Sequence, residues 1–304
     1  MKDNKYLVLD VGGSSIKYAL MTEDSEFLEK GKTPTPLDNI ENFTETIGKI
    51  YDLYKGKIKG IAISMPGILD TKRGYAHSGG NLEYNAGKEI VKILKERCDT
   101  EIRIENDGKC AALAEVWKGS LKDCNDGIVI VLGTGIGGGV IKDRKVHKGK
   151  NFFAGEFSFI MTNFSDVDNV DNIWARKNGS IGLLSSFAEI KGLDEKVVDG
   201  FTVFKHINDG DKDALKVLDE FTKNIANQII NLQCVFDPEK IAIGGGISEQ
   251  PILIEYIKKN LDKSYRRYST AVRVDLPKVE VEKCTYCNDS NLIGALYNFL
   301  TFEE

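Results

Sequence analysis

Leu7-Val8-Leu9-Asp10-Val11-Gly12-Gly13-Ser14-Ser15-Ile16-Lys17-Tyr18-Ala19-Leu20 sets an apolar run against a carboxylate, a glycine turn and a second apolar run. A short aliphatic run cut off by glycines reads as a strand buried on both faces, and the turn returns it as a hairpin. The arrangement recurs about 120 residues later, a separation that suits a duplicated unit. There Ile128 to Leu132 turns through Gly133-Thr134-Gly135 into Gly138-Gly139-Val140-Ile141. Each copy would present a backbone-rich loop to a ligand, since glycine lets the main chain come close to it.

Two further apolar runs, Ile58 to Ile63 and Ile241 to Ile243, read as buried strands. Between them, Ile40, Phe43, Ile47, Ile50 and Tyr54, and later Leu218, Phe221, Ile225, Ile229 and Leu232, fall at spacings of three and four. Those are the apolar faces of two helices, the second stopped by Asp237-Pro238. Strands alternating with helices predict an α/β protein with a mixed, largely covered sheet. At 304 residues the chain is long for one core, so two domains with a ligand cleft between them are expected.

Composition excludes more than it selects. The chain is 41% hydrophobic and 29% charged with a formal net charge of −5, which provides no footprint for nucleic acid or an anionic membrane. No apolar run has spanning length and the first one is broken by Asp10, so a cytoplasmic protein without a signal segment is expected. The six cysteines, at 98, 110, 124, 234, 284 and 287, are then expected as thiols. Cys284 and Cys287 lack the second ligand pair of a structural zinc site.

Each motif has a plain reading beside a chemical one. Asp10-Val11-Gly12-Gly13-Ser14-Ser15 is a hairpin turn, or a phosphate loop whose carboxylate faces Mg²⁺. Gly133-Thr134-Gly135-Ile136-Gly137-Gly138 formally matches a dinucleotide fingerprint, with Glu156 as the acidic residue about 20 positions on. A fingerprint should open a helix, and the glycines with Val140 and Ile141 predict a strand, so a phosphate clamp fits better than an oxidoreductase. Gly244-Gly245-Gly246 is a strand-to-helix turn, or a place where a flat ring such as adenine approaches. Glu105-Asn106-Asp107 is a helix cap, or a cluster of three hydrogen-bonding side chains that works with the glycine loops.

The order of these motifs, with Pro66-Gly67, Gly80-Asn81-Leu82 and Ala154-Gly155-Glu156 between them, resembles the ROK family of sugar kinases and sugar-responsive repressors over nearly the whole chain. The resemblance implies the actin-like ATPase (ribonuclease H-like) fold, with two similar α/β domains around a cleft. Residues 1–118 with 290–304 would form the N-terminal domain and 119–289 the larger one. It implies a dimer and an ATP- and Mg²⁺-dependent phosphorylation of a hexose or hexoside hydroxyl, O6 of glucose or a β-glucoside. Asp107 would be the catalytic base, with Asn81, Asn106 and Glu156 on sugar hydroxyls. Asp10 would face Mg²⁺, directly or through water. Gly12, Gly13, Ser14, Lys17, Gly133, Thr134 and Gly135 would serve the phosphates, and Gly245 and Gly246 would border adenosine. The competing expectation is a catalytically weak sugar sensor. The family's repressors carry an N-terminal helix-turn-helix, for which the residues before the first strand leave no room.

One stretch departs from the family pattern. Where Glu-x-Gly-His and a three-cysteine zinc motif are common, this chain reads Glu156-Phe157-Ser158-Phe159, and no cysteine lies between Cys124 and Cys234. No structural zinc is expected. Phe159 would either leave the C1 edge of the sugar open and apolar, suiting a β-glucoside or disaccharide, or pack in the core.

Overall fold

The computed structural model describes residues 4–302, which pack as two units. The first comprises residues up to Lys118, Lys145–Ala154 and the segment from Asp289; the second comprises Gly119–Arg144 and Gly155–Asn288.

In the first unit, β1 (Lys5–Val11), β2 (Ser15–Thr22) and β3 (Phe27–Pro34) form an antiparallel meander. Helix α1 (Ile40–Tyr54) follows, and β4 (Gly60–Met65) then pairs in parallel with β1. Helix α1 starts where the Asn39 side chain accepts from the Asn42 amide at 2.8 Å. Phe43, Ile47, Ile50, Tyr51 and Tyr54 are buried on one face of it, each worth roughly 1.5–3 kcal/mol of transfer free energy. A two-residue ribbon, β5 (Leu69–Asp70) with β6 (Tyr75–Ala76), and α2 (Ile90–Arg97) lead to β7 (Glu101–Asn106), which pairs in parallel with β4. The sheet order is β3-β2-β1-β4-β7. Helix α3 (Asp107–Lys118) starts directly at the end of β7.

The second unit repeats the plan. Strands β8 (Gly127–Leu132) and β9 (Ile136–Lys142) form the hairpin expected around Gly133-Thr134-Gly135, so this glycine run opens no helix. The chain next passes through β10 (Lys145–Val146) in the Lys145–Ala154 segment of the first unit. In the second unit follow α4 (Trp174–Asn178), α5 (Ser180–Lys191), α6 (Gly200–Asn208) and α7 (Lys212–Phe236). Helix α7 ends where Asp237 takes a left-handed φ of 48° just before Pro238. Strand β11 (Lys240–Gly244) pairs in parallel with β8, helix α8 (Pro251–Val272) follows, and β12 (Glu280–Lys283) pairs in parallel with β11. The order β9-β8-β11-β12 therefore matches β2-β1-β4-β7. The echo of the two hairpins in sequence is a repeat of topology. The last helix, α9 (Ser290–Leu300), belongs to the first unit and packs on α3.

Each unit has its own core. Leu7, Leu9, Ile61, Ile63, Ile102 and Ile104 fill the first with α1 and α2, and Ile128, Ile130, Ile241 and Ile243 fill the second with α5 to α8. Central parallel strands covered on both faces need such continuous aliphatic runs.

Candidate functional site

Register across the first sheet concentrates polar chemistry at one end of it. Asp10 stands opposite Ser64 of β4, and Ser64 opposite Glu105 of β7. These three lie near the carboxyl ends of parallel strands, where open α/β sheets place their ligands. The glycine turn after Asp10 is closed by the Gly12 amide donating to the Ser15 carbonyl at 3.0 Å, and Thr35 Oγ1 donates to the Gly12 carbonyl at 2.6 Å. A β-carbon on Gly13 would lie 3.5 Å from Asn81 Nδ2, so this turn and the Gly80-Asn81 loop adjoin. Gly67, at φ +112°, would direct a β-carbon to 2.1 Å from the Ser78 carbonyl oxygen. That close approach brings the residues before Asn81 against the end of β4.

Asn106 is the cap of α3, its Oδ1 accepting from the Lys109 amide at 3.1 Å while its Nδ2 donates to the Gly67 carbonyl at 3.0 Å. Both ends of the carboxamide are fixed, yet Oδ1 retains a lone pair and Nδ2 a hydrogen for a ligand. The cap is thus Asn106. Asp107 is the first helical residue, half-buried, with Oδ1 accepting from the Gly108 amide at 2.8 Å.

Glu105 is 1% exposed, and Lys148 Nζ lies 2.6 Å from its Oε2. The same ammonium donates to Thr71 Oγ1 at 2.6 Å. The segment Lys145–Ala154 is thereby fastened to the strand that ends in Asn106, and stacking of Phe152 on His77, with ring centroids 5.7 Å apart, fastens it again. Sequence reasoning missed Lys148 and Thr71. A lysine 43 positions from its partner, as the numbering of Glu105 and Lys148 gives, leaves no periodic signal. Lys148→Met is expected to lower unfolding free energy in urea by about 2 kcal/mol, since a buried carboxylate loses its cation. Adding Glu105→Gln should recover part of that loss, and a single variant within about 0.5 kcal/mol of wild type would contradict the pairing.

Asp10 is 8% exposed. Asn291 Nδ2 donates to its Oδ1 at 3.0 Å and Lys17 Nζ lies 3.7 Å from Oδ2. Asn291, too, escaped the sequence reading. Burial pushes the Asp10 carboxyl pKa up, against the pull of Asn291 and Lys17 in the other direction. A raised folded-state value means that the stability it provides is complete below the unfolded carboxylate range and is lost as pH rises through the folded value. At neutral pH the ionised group is a net cost to the folded chain. Asp10→Asn is therefore expected to melt at the same or a higher temperature than wild type at pH 7. A drop of several degrees would show that its partners outweigh its burial.

A buried, under-compensated carboxylate suits a cation. Among the described residues no group of three His, Cys, Asp or Glu side chains is placed to hold a metal. Mg²⁺ beside Asp10 would accordingly take its other ligands from water and phosphate, as it commonly does.

The second unit gathers its own loops at the ends of β8 and β11. The Gly133 amide donates to the Gly135 carbonyl at 3.0 Å, and the Ser180 amide at the start of α5 donates to the Gly133 carbonyl at 2.8 Å. Gly245 has φ +93°, and a β-carbon there would sit 2.3 Å from the Leu132 carbonyl oxygen. Only glycine fits that approach. A β-carbon on Gly246 would meet nothing within 4 Å, which leaves room for a flat ring. Glu156 is half-buried and precedes the short turn Phe157–Phe159. Phe157 packs near Trp174, whereas Phe159 is 58% exposed and so is no core residue. Asp10, Gly12, Gly13, Ser14, Lys17, Asn81, Asn106 and Asp107 belong to the first unit; Gly133, Thr134, Gly135, Glu156, Gly245 and Gly246 belong to the second.

The sequence profile of the ROK family matches residues 6–301. A β-glucoside kinase of Listeria monocytogenes is 28% identical over 302 residues, covering 99% of each chain. An N-acetyl-D-glucosamine kinase of Haemophilus influenzae is 27% identical over 311 residues, covering 97% of this chain and 99% of its own. Among solved structures, a ROK family protein from Streptococcus pneumoniae in complex with sucrose superposes with a TM-score of 0.86 at 27% identity, over 97% of this chain and 98% of that one. The fold is the actin-like ATPase fold.

Proposed function

The chain belongs to the ROK family, and from that membership we propose that it is an ATP-dependent sugar kinase acting on O6 of glucose or of a β-glucoside. The observation that carries this reading is the arrangement at the carboxyl ends of β1 and β7, on either side of β4: a buried carboxylate, Asp10, a fixed carboxamide, Asn106, and a helix-start carboxylate, Asp107. Phosphoryl transfer asks a protein mainly to position an in-line hydroxyl and to neutralise charge on the transferring group.

In this reading Asn81 and Asn106 orient the sugar hydroxyls, and Asp107 takes the proton of the attacking one. The bond from the Gly108 amide to Oδ1 fixes the orientation of that carboxylate. Glu156 is the remaining residue proposed for sugar hydroxyls. Mg²⁺-ATP supplies the phosphoryl group and charge neutralisation. Lys17 and the amides around Gly12, Gly13 and Ser14, with those of Gly133, Thr134 and Gly135, serve the phosphates, and Gly245 and Gly246 border the adenosine. An exposed Phe159 beside Glu156 favours a substituted sugar, since an aromatic ring packs against the apolar face of a pyranose where a polar side chain would read a free hydroxyl.

Sugar-dependent ADP release tests the activity, over a panel of glucose, cellobiose, fructose, N-acetylmannosamine and N-acetylglucosamine. Glucose and cellobiose are expected to lead. A strong preference for a free 2-acetamido sugar would overturn the substrate assignment, and sugar binding without any ADP release would identify a sensor in place of a kinase.

A further inference from the structure

The second unit holds a cavity of about 420 Å³ that uses none of the residues assigned above. Seven of its twelve lining residues carry carboxamides and none carries a carboxylate. The floor is Asn172, Asn178 and Gln228, exposed by 4%, 0% and 7%. Asn178 Nδ2 donates to the Phe221 carbonyl at 2.9 Å, while its Oδ1, fully enclosed, accepts from no protein group. An acceptor left unmade in the interior forfeits a hydrogen bond, which a ligand can supply once the carboxamide turns toward the cavity. At the rim stand the exposed Asn224, Lys177 and Tyr268. No acid among the described residues pairs with the Lys177 ammonium.

Carboxamides both donate and accept, as sugar hydroxyls do. A floor of buried amides, an aromatic rim and a single ammonium match a polyhydroxylated ring bearing one anionic group. The volume lies within the ordinary range for small-molecule sites. We propose that this cavity binds a monosaccharide carrying one anionic group, with its hydroxyls on Asn178, Asn172 and Gln228 and its charge at Lys177. A protein surface would not fill the buried floor. The site stands whether or not the chain phosphorylates sugars, since none of these residues belongs to the proposed catalytic set.

Glucose 6-phosphate, glucuronate and glucose are titrated calorimetrically into the wild-type chain and into Lys177→Gln, Asn224→Leu and Asn81→Ala. Both rim residues are exposed, so their variants are expected to fold and to keep sugar-kinase turnover. The two charged sugars are the probes for a phosphate and a carboxylate source, and binding of either supports the site. The expected result is that this binding survives Asn81→Ala and weakens roughly tenfold in Lys177→Gln and Asn224→Leu. Four results would overturn it: no binding of either charged sugar, glucose binding to Asn81→Ala as tightly as the charged sugars do, binding that falls in Asn81→Ala but in neither rim variant, or rim variants that change only the oligomeric mass. Turnover measured on the same proteins reports separately on the kinase reading.

Discussion

Asp107→Asn should retain sugar affinity and lose about 10²–10⁴-fold in turnover, the usual contribution of a general base. The substitution is close to isosteric. The carboxamide oxygen of the variant would still accept from the Gly108 amide as the carboxylate does at 2.8 Å, so the loop geometry should persist. What disappears is the capacity to accept a full proton from the attacking hydroxyl. A loss confined to kcat, with KM for the sugar unchanged, would mark an interaction made only in the transition state. Single-turnover ADP release with calorimetric sugar binding separates the two. Near-normal turnover in purified, folded Asp107→Asn would remove the base from the mechanism and leave positioning and charge neutralisation to carry catalysis.

The parts of this molecule that were legible in sequence are those whose signal is local. The hairpin of β1 and β2 and its counterpart in the second unit are written as aliphatic runs interrupted by glycine. Helices α1 and α7 are written as spacings of three and four. The cap at the start of α3 could be placed to within a residue, because Asn or Asp after a strand satisfies free amides there; which of the two does so depends on backbone geometry that Gly67 helps to set. Pairing with β4 carries β7 through Glu105 to Asn106, since a polar residue continues a strand when a neighbouring backbone is in register.

Contacts between distant residues were not legible. Nothing near Lys148 announces that it will meet Glu105, and nothing in Asn291 announces Asp10. Both pairs arise because β-strands and helices far apart in the chain end at the same place. Likewise the amide-lined cavity collects residues from 161 to 268, each unremarkable alone. Phe159 had two open readings, and its 58% exposure excludes the core one. Periodicity could not choose between them, because a short turn between Gly155 and Ile160 has no period.

Gly294→Ala should destabilise the first unit by about 3 kcal/mol or more, although alanine is the better helix former by roughly 1 kcal/mol. The two effects oppose, and geometry decides between them. Gly294 lies within α9, and a β-carbon there would fall 1.8 Å from the Cys110 carbonyl oxygen and 2.5 Å from its carbonyl carbon. Those are backbone atoms of α3, which no rotamer change can withdraw, so one helix must shift as a body. Close interior packing transmits such a shift. Because Asp107 starts α3 three residues before Cys110, the displacement reaches the proposed base directly. Gly200 provides the control: at the first turn of α6 a β-carbon would meet nothing within 4 Å, so Gly200→Ala should be neutral or slightly stabilising. Urea denaturation of both variants reads the signs. If Gly294→Ala were as stable as wild type, α9 would not be seated against α3 and its hold on the helix that carries the proposed base would be lost as an explanation. If it folds but is weakened, its sugar-dependent ADP release should fall more than that of Lys177→Gln, whose substitution lies far from α3 in sequence and in the other unit.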